Sequence, residues 1–188
     1  ELSKEDSEKW ISKILGTIDL IPDIAKTTKQ WYESEKEELK RFKNIIVIGY
    51  DKCLPAATEG ALKILETVQC CVRYYELEEF MHGIYHGIDK STLILALGNQ
   101  SRHLNRMVRL LGYLKEHKNA TTYLISQNKV IKHDFSYPFI EDSLFVSFEY
   151  LTVLQVLGEL MCHDRGVDLY DTVDENFHEY MESYVYEK

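Results

Sequence analysis

From residue 3 to residue 42 apolar side chains return at helical spacing, as Trp10, Ile11, Ile14 and Leu15 do. The sequence therefore predicts a long N-terminal helical segment, with a break near Pro22, whose ring carries no N–H. At Asn44 the pattern changes to the unbroken run Ile45-Ile46-Val47-Ile48 closed by Gly49, which is how a strand covered on both faces reads. Pro55 opens a predicted helix over 56–69, where Ala57, Ala61, Leu62, Leu65 and Val68 keep the helical period. An extended stretch over 71–75 and a short mixed segment over 76–82 follow. A second buried strand over 91–97 then ends in the turn Gly98-Asn99-Gln100-Ser101. Ser101 is the expected N-cap of a helix over 105–117, and strands at 121–126 and 144–148 precede a closing helix over 150–163.

Strands and helices in alternation imply right-handed crossovers and a parallel sheet between two helical layers. The expected fold class is α/β, a three-layer α/β/α open parallel sheet of the flavodoxin-like or Rossmann-like kind. Residues 1–43 are expected to form the helical segment and 44–188 the domain. A length of 188 residues suits one such domain.

The formal charge of -9 opposes attraction to a phosphate backbone, so nucleic acid is not an expected partner. No apolar run approaches the roughly 20 residues of a membrane span; no membrane partner is expected, and the expected location is the cytoplasm. Cys53, Cys70, Cys71 and Cys162 form no CxxC pair and read as reduced core thiols. The sequence starts Glu-Leu-Ser without Met, which predicts a piece of a longer protein. Tyr180, Tyr184 and Tyr186, in the acidic stretch 168–188, are expected to pack.

Candidate chemistry lies on the helix over 56–69, where Glu59, Lys63 and Glu66 share one edge. An ammonium between two carboxylates favours the charged form of all three. Acid and base spaced in this way also decorate ordinary solvent-facing helices, and spacing alone favours that plainer reading. Position favours the other, because this helix follows the expected central strand and ligands gather at the carboxyl ends of parallel strands.

His82, beside Gly83 and near His86, reads as a loop histidine. An imidazole can shuttle a proton to a ring oxygen, and a carboxylate can remove one beside a carbonyl. Together they point to sugar carbonyl chemistry. Tyr50-Asp51-Lys52-Cys53 lacks the glycines of a dinucleotide or Walker loop. His82 and His86 could share a metal only on a helix that Gly83 and Gly87 disfavour, so no metal and no cofactor is expected.

Ile48-Gly49-Tyr50, Pro55-Ala56, the block Glu59-Gly60-Ala61-Leu62-Lys63-Ile64-Leu65-Glu66 and the block Glu79-Phe80-Met81-His82-Gly83 carry a family resemblance. In this order and spacing they resemble the second of the two sugar isomerase (SIS) domains of glutamine-fructose-6-phosphate aminotransferases and fructosamine-6-phosphate deglycases, over about residues 44–126. The resemblance implies that Glu66 is the base beside the sugar carbonyl or imine and that His82 assists ring opening, often from across a dimer interface. Glu59 and Lys63 would support the proton transfers. It implies a 6-phosphosugar or sugar-amine phosphate as ligand, a homodimer or a partner SIS domain, and no redox cofactor or metal.

Two departures qualify the match. The family's Ser/Thr-rich phosphate loop, which belongs to the first SIS domain, has no counterpart here. The near-terminal Schiff-base lysine of the aminotransferases is also missing, since no lysine follows Glu175 until Lys188. The expected activity is thus a fructosamine-6-phosphate deglycase or an aldose–ketose 6-phosphosugar isomerase, against the alternative of a non-catalytic phosphosugar-binding or dimerising domain.

Overall fold

The computed structural model describes residues 3–142, 144–170 and 176–182. Helix α1 (Lys4–Leu39) leads into strand β1 (Asn44–Gly49), helix α2 (Leu54–Val68), strand β2 (Cys71–Glu76), helix α3 (Leu77–Met81) and strand β3 (Thr92–Gly98). Helix α4 (Leu104–Lys118), strands β4 (Thr121–Ser126) and β5 (Phe135–Ser136), and helices α5 (Val146–Asp164) and α6 (Phe177–Tyr180) follow. All pairings are parallel, in the order β2-β1-β3-β4-β5, so the strand order reverses between β1 and β3. The expected α/β/α architecture is present.

The β-branched and aliphatic runs divide cleanly between the two faces. Ile45 and Val47 of β1, with Leu93, Leu95 and Leu97 of β3, join the core under α1, α2 and α5. Ile46, Ile48, Ile94 and Ala96 point to the other face, where Leu77 and Phe80 of α3 meet Met107, Leu110 and Leu114 of α4. Period-two alternation on a strand buried on both sides thus places α2 and α3 in opposite layers.

Three expectations about elements are corrected. α1 runs unbroken through Pro22. Pro22 and Ile18, four residues before it, are both exposed, so water can serve the carbonyl that loses its partner. The strand expected at 144–148 is absent, because Val146 already opens α5. Val146, Glu149, Tyr150, Val153, Leu154, Leu157 and Met161 recur at helical spacing, and this stripe outweighs the local β-propensity of Phe145-Val146. The fifth strand is instead the two residues Phe135–Ser136. Ser101 is not the residue flanking α4; that is His103, whose N–H donates to Ser101 Oγ at 3.1 Å.

α1 belongs to the same core as the sheet. Trp31 packs edge-on against Tyr123 and Phe135, and its Nε1 donates to the His133 carbonyl at 2.8 Å. The loop between β4 and β5 is tied by the buried Asp134, which accepts from the N–H groups of Leu124, Val130 and Ile131. Among the thiols, Cys53 and Cys162 are buried, but Cys70 is half-buried and Cys71, at the start of the edge strand β2, is exposed. The expectation of four core thiols is corrected accordingly. Tyr180 is 87% exposed and does not pack, while Tyr184 and Tyr186 lie outside the described residues.

Candidate active site

α2 leaves the carboxyl end of β1 through a 3₁₀ turn at Asp51–Cys53, with Pro55 in its first turn. Its buried face is Ala56, Ala57, Gly60, Ala61, Ile64 and Val68. Gly60 sets the depth of contact with α5: a Cβ there would stand 2.1 Å from Leu154 Cδ1 and 2.8 Å from Leu154 Cβ. The small face in the sheet layer turns Glu59, Leu62, Lys63, Leu65 and Glu66 outward.

Lys63 Nζ lies 2.8 Å from Glu66 Oε2 and 3.5 Å from Glu59 Oε1, so three of the four predicted site residues stand together. The hydrogen bond to Glu66 pushes the Lys63 pKa above its ordinary value and keeps the ammonium charged. Ion pairs this open to solvent add little stability.

His82 is the C-cap residue of α3, a short helix whose first N–H groups, those of Glu78 and Glu79, donate to the Glu76 carboxylate at 2.6 and 3.1 Å. Gly83, at φ +126, turns the chain away after it, in a region of backbone space that favours glycine. The imidazole is exposed, and among the described residues its ring has no partner. Because α3 packs on the α4 side of the sheet, His82 stands in the opposite layer from Glu66. Within one chain the sheet separates them.

The strand order reverses between β1 and β3, and the carboxyl ends of the strands at such a point are the usual ligand position of parallel sheets. Tyr50, buried, donates its hydroxyl to the Asn99 carbonyl at 2.7 Å and joins the two strand ends. Asp51 Oδ1 lies 3.9 Å from His103 Nε2. Burial pushes the Cys53 thiol well above its ordinary range, which disfavours the thiolate.

Glu141 reaches in from the loop before α5. Its Oε2 accepts the Gln100 N–H and its Oε1 the Tyr150 hydroxyl, each at 2.8 Å. Behind it the fully buried Glu149 accepts the N–H groups of Ile140 and Glu141, each at 3.0 Å. Asn99, Gln100, His103, Glu141 and Glu149 were not singled out from the sequence. Gly49 and Gly98, which end β1 and β3, were the signal available for the first three; no periodic pattern marks the last two.

Burial raises the Glu149 pKa, against the lowering effect of the two N–H groups it accepts. Its carboxyl therefore takes up a proton more readily folded than unfolded. Its contribution to stability is fully present below the unfolded value and is lost as pH rises through the folded one. Melting temperatures measured across the weakly acidic range should show the wild type gaining on Glu149→Gln as pH falls. Parallel curves would contradict the assignment.

Residues 38–130 match the family model described as SIS domain. Glutamine–fructose-6-phosphate aminotransferase [isomerizing] from Wigglesworthia glossinidia brevipalpis is 26% identical over 172 residues, covering 87% of this chain and 28% of that protein. A candidate phosphosugar isomerase from Clostridium difficile 630 superposes with a TM-score of 0.86 at 28% identity, covering 96% of this chain and 51% of that one. The C-terminal domain of glucosamine-fructose-6-phosphate aminotransferase from Francisella tularensis shares the fold, with a TM-score of 0.66 at 17% identity over 89% of this chain and 48% of that one. The chain thus spans about half the length of these solved structures and a smaller share of the aminotransferase.

Proposed function

The chain carries a SIS domain, and on that premise we propose that it acts on a 6-phosphosugar or its amine derivative by moving a proton between C1 and C2. Glu66 is the base, His82 is the acid that assists ring opening, and Glu59 and Lys63 set the charge around Glu66. The observation that carries this reading is the row Glu59–Lys63–Glu66. It is half-exposed and held by one ammonium, on the helix that follows β1, the inner strand beside the edge strand β2 and not, as expected, the central one.

A deglycase or an aldose–ketose isomerase fits best, since both need a base and an acid and neither needs a Schiff-base lysine on the protein. The domain boundaries at 1–43 and 44–188 and a cytoplasmic location belong to the same proposal.

His82 lies across the sheet from Glu66, so the site draws its histidine from a second copy or from a partner SIS domain. Mixing Glu66→Gln chains with His82→Ala chains tests this directly. In a two-fold dimer, random re-pairing should restore about a quarter of wild-type turnover, because one intact site forms in each mixed pair. No recovery on mixing would remove His82 of a second copy as the acid and leave a partner SIS domain as the source of the histidine.

The substrate class is tested by thermal shift with fructose 6-phosphate, glucosamine 6-phosphate and a fructosamine 6-phosphate, followed by product assay. Turnover of one of these is expected; binding of any of them without turnover would replace the enzyme by a phosphosugar sensor.

A further inference from the structure

Between α3 and α4 lies a cleft of about 390 Å³, large enough for a small molecule. Met81 and Leu110 give it an apolar lining. Tyr85, in the 3₁₀ turn Ile84–Gly87, and Tyr113 of α4 give it an aromatic one, their rings meeting edge to face with centroids 6.4 Å apart. Met81 and Tyr85 bracket His82 in the chain, so the cleft adjoins the residue proposed as the acid.

The two arginines that line the cleft are not equivalent. Arg106 is already engaged, its Nε and Nη2 donating to the two oxygens of Glu78 at 2.6 and 2.8 Å. Arg109, one turn further along α4, is exposed, and among the described residues its guanidinium meets no acceptor. No acidic side chain lines the cleft, and Lys118 Nζ adds a second positive charge 6.0 Å over the Tyr85 ring. An open guanidinium fork beside two aromatic rings matches a planar carboxylate joined to an apolar group.

We propose that this cleft holds the amino-acid part of a fructosamine 6-phosphate, with the carboxylate on Arg109 and an apolar or aromatic side chain against Tyr85 and Tyr113. The inference rests on the proposed function and narrows it. The substrate of an aldose–ketose isomerase has no such part, whereas that of a deglycase carries it through nitrogen on C1, one of the two carbons between which the proton moves. Such a substrate has two anionic ends, and the cleft recognises the one that is not phosphate.

The test is a calorimetric titration of the whole chain with two ligands that differ only in the carboxylate. These are the phenylalanine and the phenethylamine derivatives of fructosamine 6-phosphate, each reduced to the alcohol at C2 so that neither reacts. The wild type should bind the carboxylate ligand about 10–100-fold more tightly, the range for a hydrogen bond between charged groups. Arg109→Met should bring the two dissociation constants together. Arg109→Lys keeps the charge without the fork and should retain part of the preference, and Tyr113→Ala should weaken both ligands. Arg109 holds no other group of the protein, so the melting temperature of its variants should stay that of the wild type. Equal affinity for the pair in the wild type, or an undiminished preference in Arg109→Met, overturns the inference and leaves the phosphosugar reading standing, since both ligands still bind. Failure of both to bind the wild type overturns that reading and the inference with it.

Discussion

If Glu66 is the base, Glu66→Gln is expected to lower kcat by about 10²–10⁴-fold while the melting temperature stays within error of the wild type. The size is that of losing a positioned general base. The amide keeps the shape of the side chain and can still accept from Lys63, which retains its second partner, Glu59. The position is half-exposed on a helix surface, so the expected stability change lies within about 0.5 kcal/mol. The measurement is a steady-state assay on the assembled protein beside a thermal melt. Full activity in the variant would remove Glu66 from the mechanism and leave the row of charges as an ordinary solvated face. Loss of activity together with loss of fold would not be evidence of catalysis, and for that reason the melt belongs to the experiment.

Gly60→Val is expected to act in the opposite way, on the scaffold and only through it on the chemistry. Even the first carbon of a side chain would stand 2.1 Å from Leu154 Cδ1 and 2.8 Å from Leu154 Cβ, and the second of these atoms cannot rotate away. α2 and α5 must separate or tilt. Overpacking of this kind costs roughly 3 kcal/mol at the upper end, which in a domain of this size lowers the melting temperature by roughly 6–12 °C. Gly158 supports the same contact from the other helix, where a Cβ would meet Thr67 Oγ1 at 2.9 Å. Thermal or denaturant unfolding of Gly60→Val reads the effect. A melting temperature equal to that of the wild type would show that α2 is free to move, and with it the row Glu59–Lys63–Glu66.

These two residues also show what the sequence reveals and what it hides. Gly60 and Glu66 fall in one eight-residue block, Glu59 to Glu66, whose alternation of small, charged and aliphatic positions is enough to predict a helix, its buried face and its charged edge. The strands β1 and β3 were equally plain, because a run of Ile, Leu and Val covered on both faces leaves no competing period. The segment from 127 to 150 was not plain. Its single turn of sheet at Phe135–Ser136 is too short to carry a pattern, and the apolar cluster ahead of α5 favours strand and helix alike.

Glu141 and Glu149 belong to that opaque stretch, and their roles depend on a left-handed turn and on partners at Gln100 and Tyr150 that no local spacing encodes. The separation of Glu66 and His82 was hidden for a different reason. The blocks that carry them are adjacent in sequence, and only the alternation of crossovers about β1 sends one above the sheet and the other below.

That last feature gives the molecule a valence. On the proposed roles, a chain with Glu66 on one side and His82 on the other has two unlike ends, and each end asks for its complement. Two copies related by a two-fold axis satisfy both at once and close. Copies stacked base to acid in one direction leave a free end at each terminus and grow without limit. A partner domain with a matched pair of ends would close the arrangement as a two-fold copy does. On the proposed reading, then, the thickness of one sheet decides between a finite enzyme and a filament.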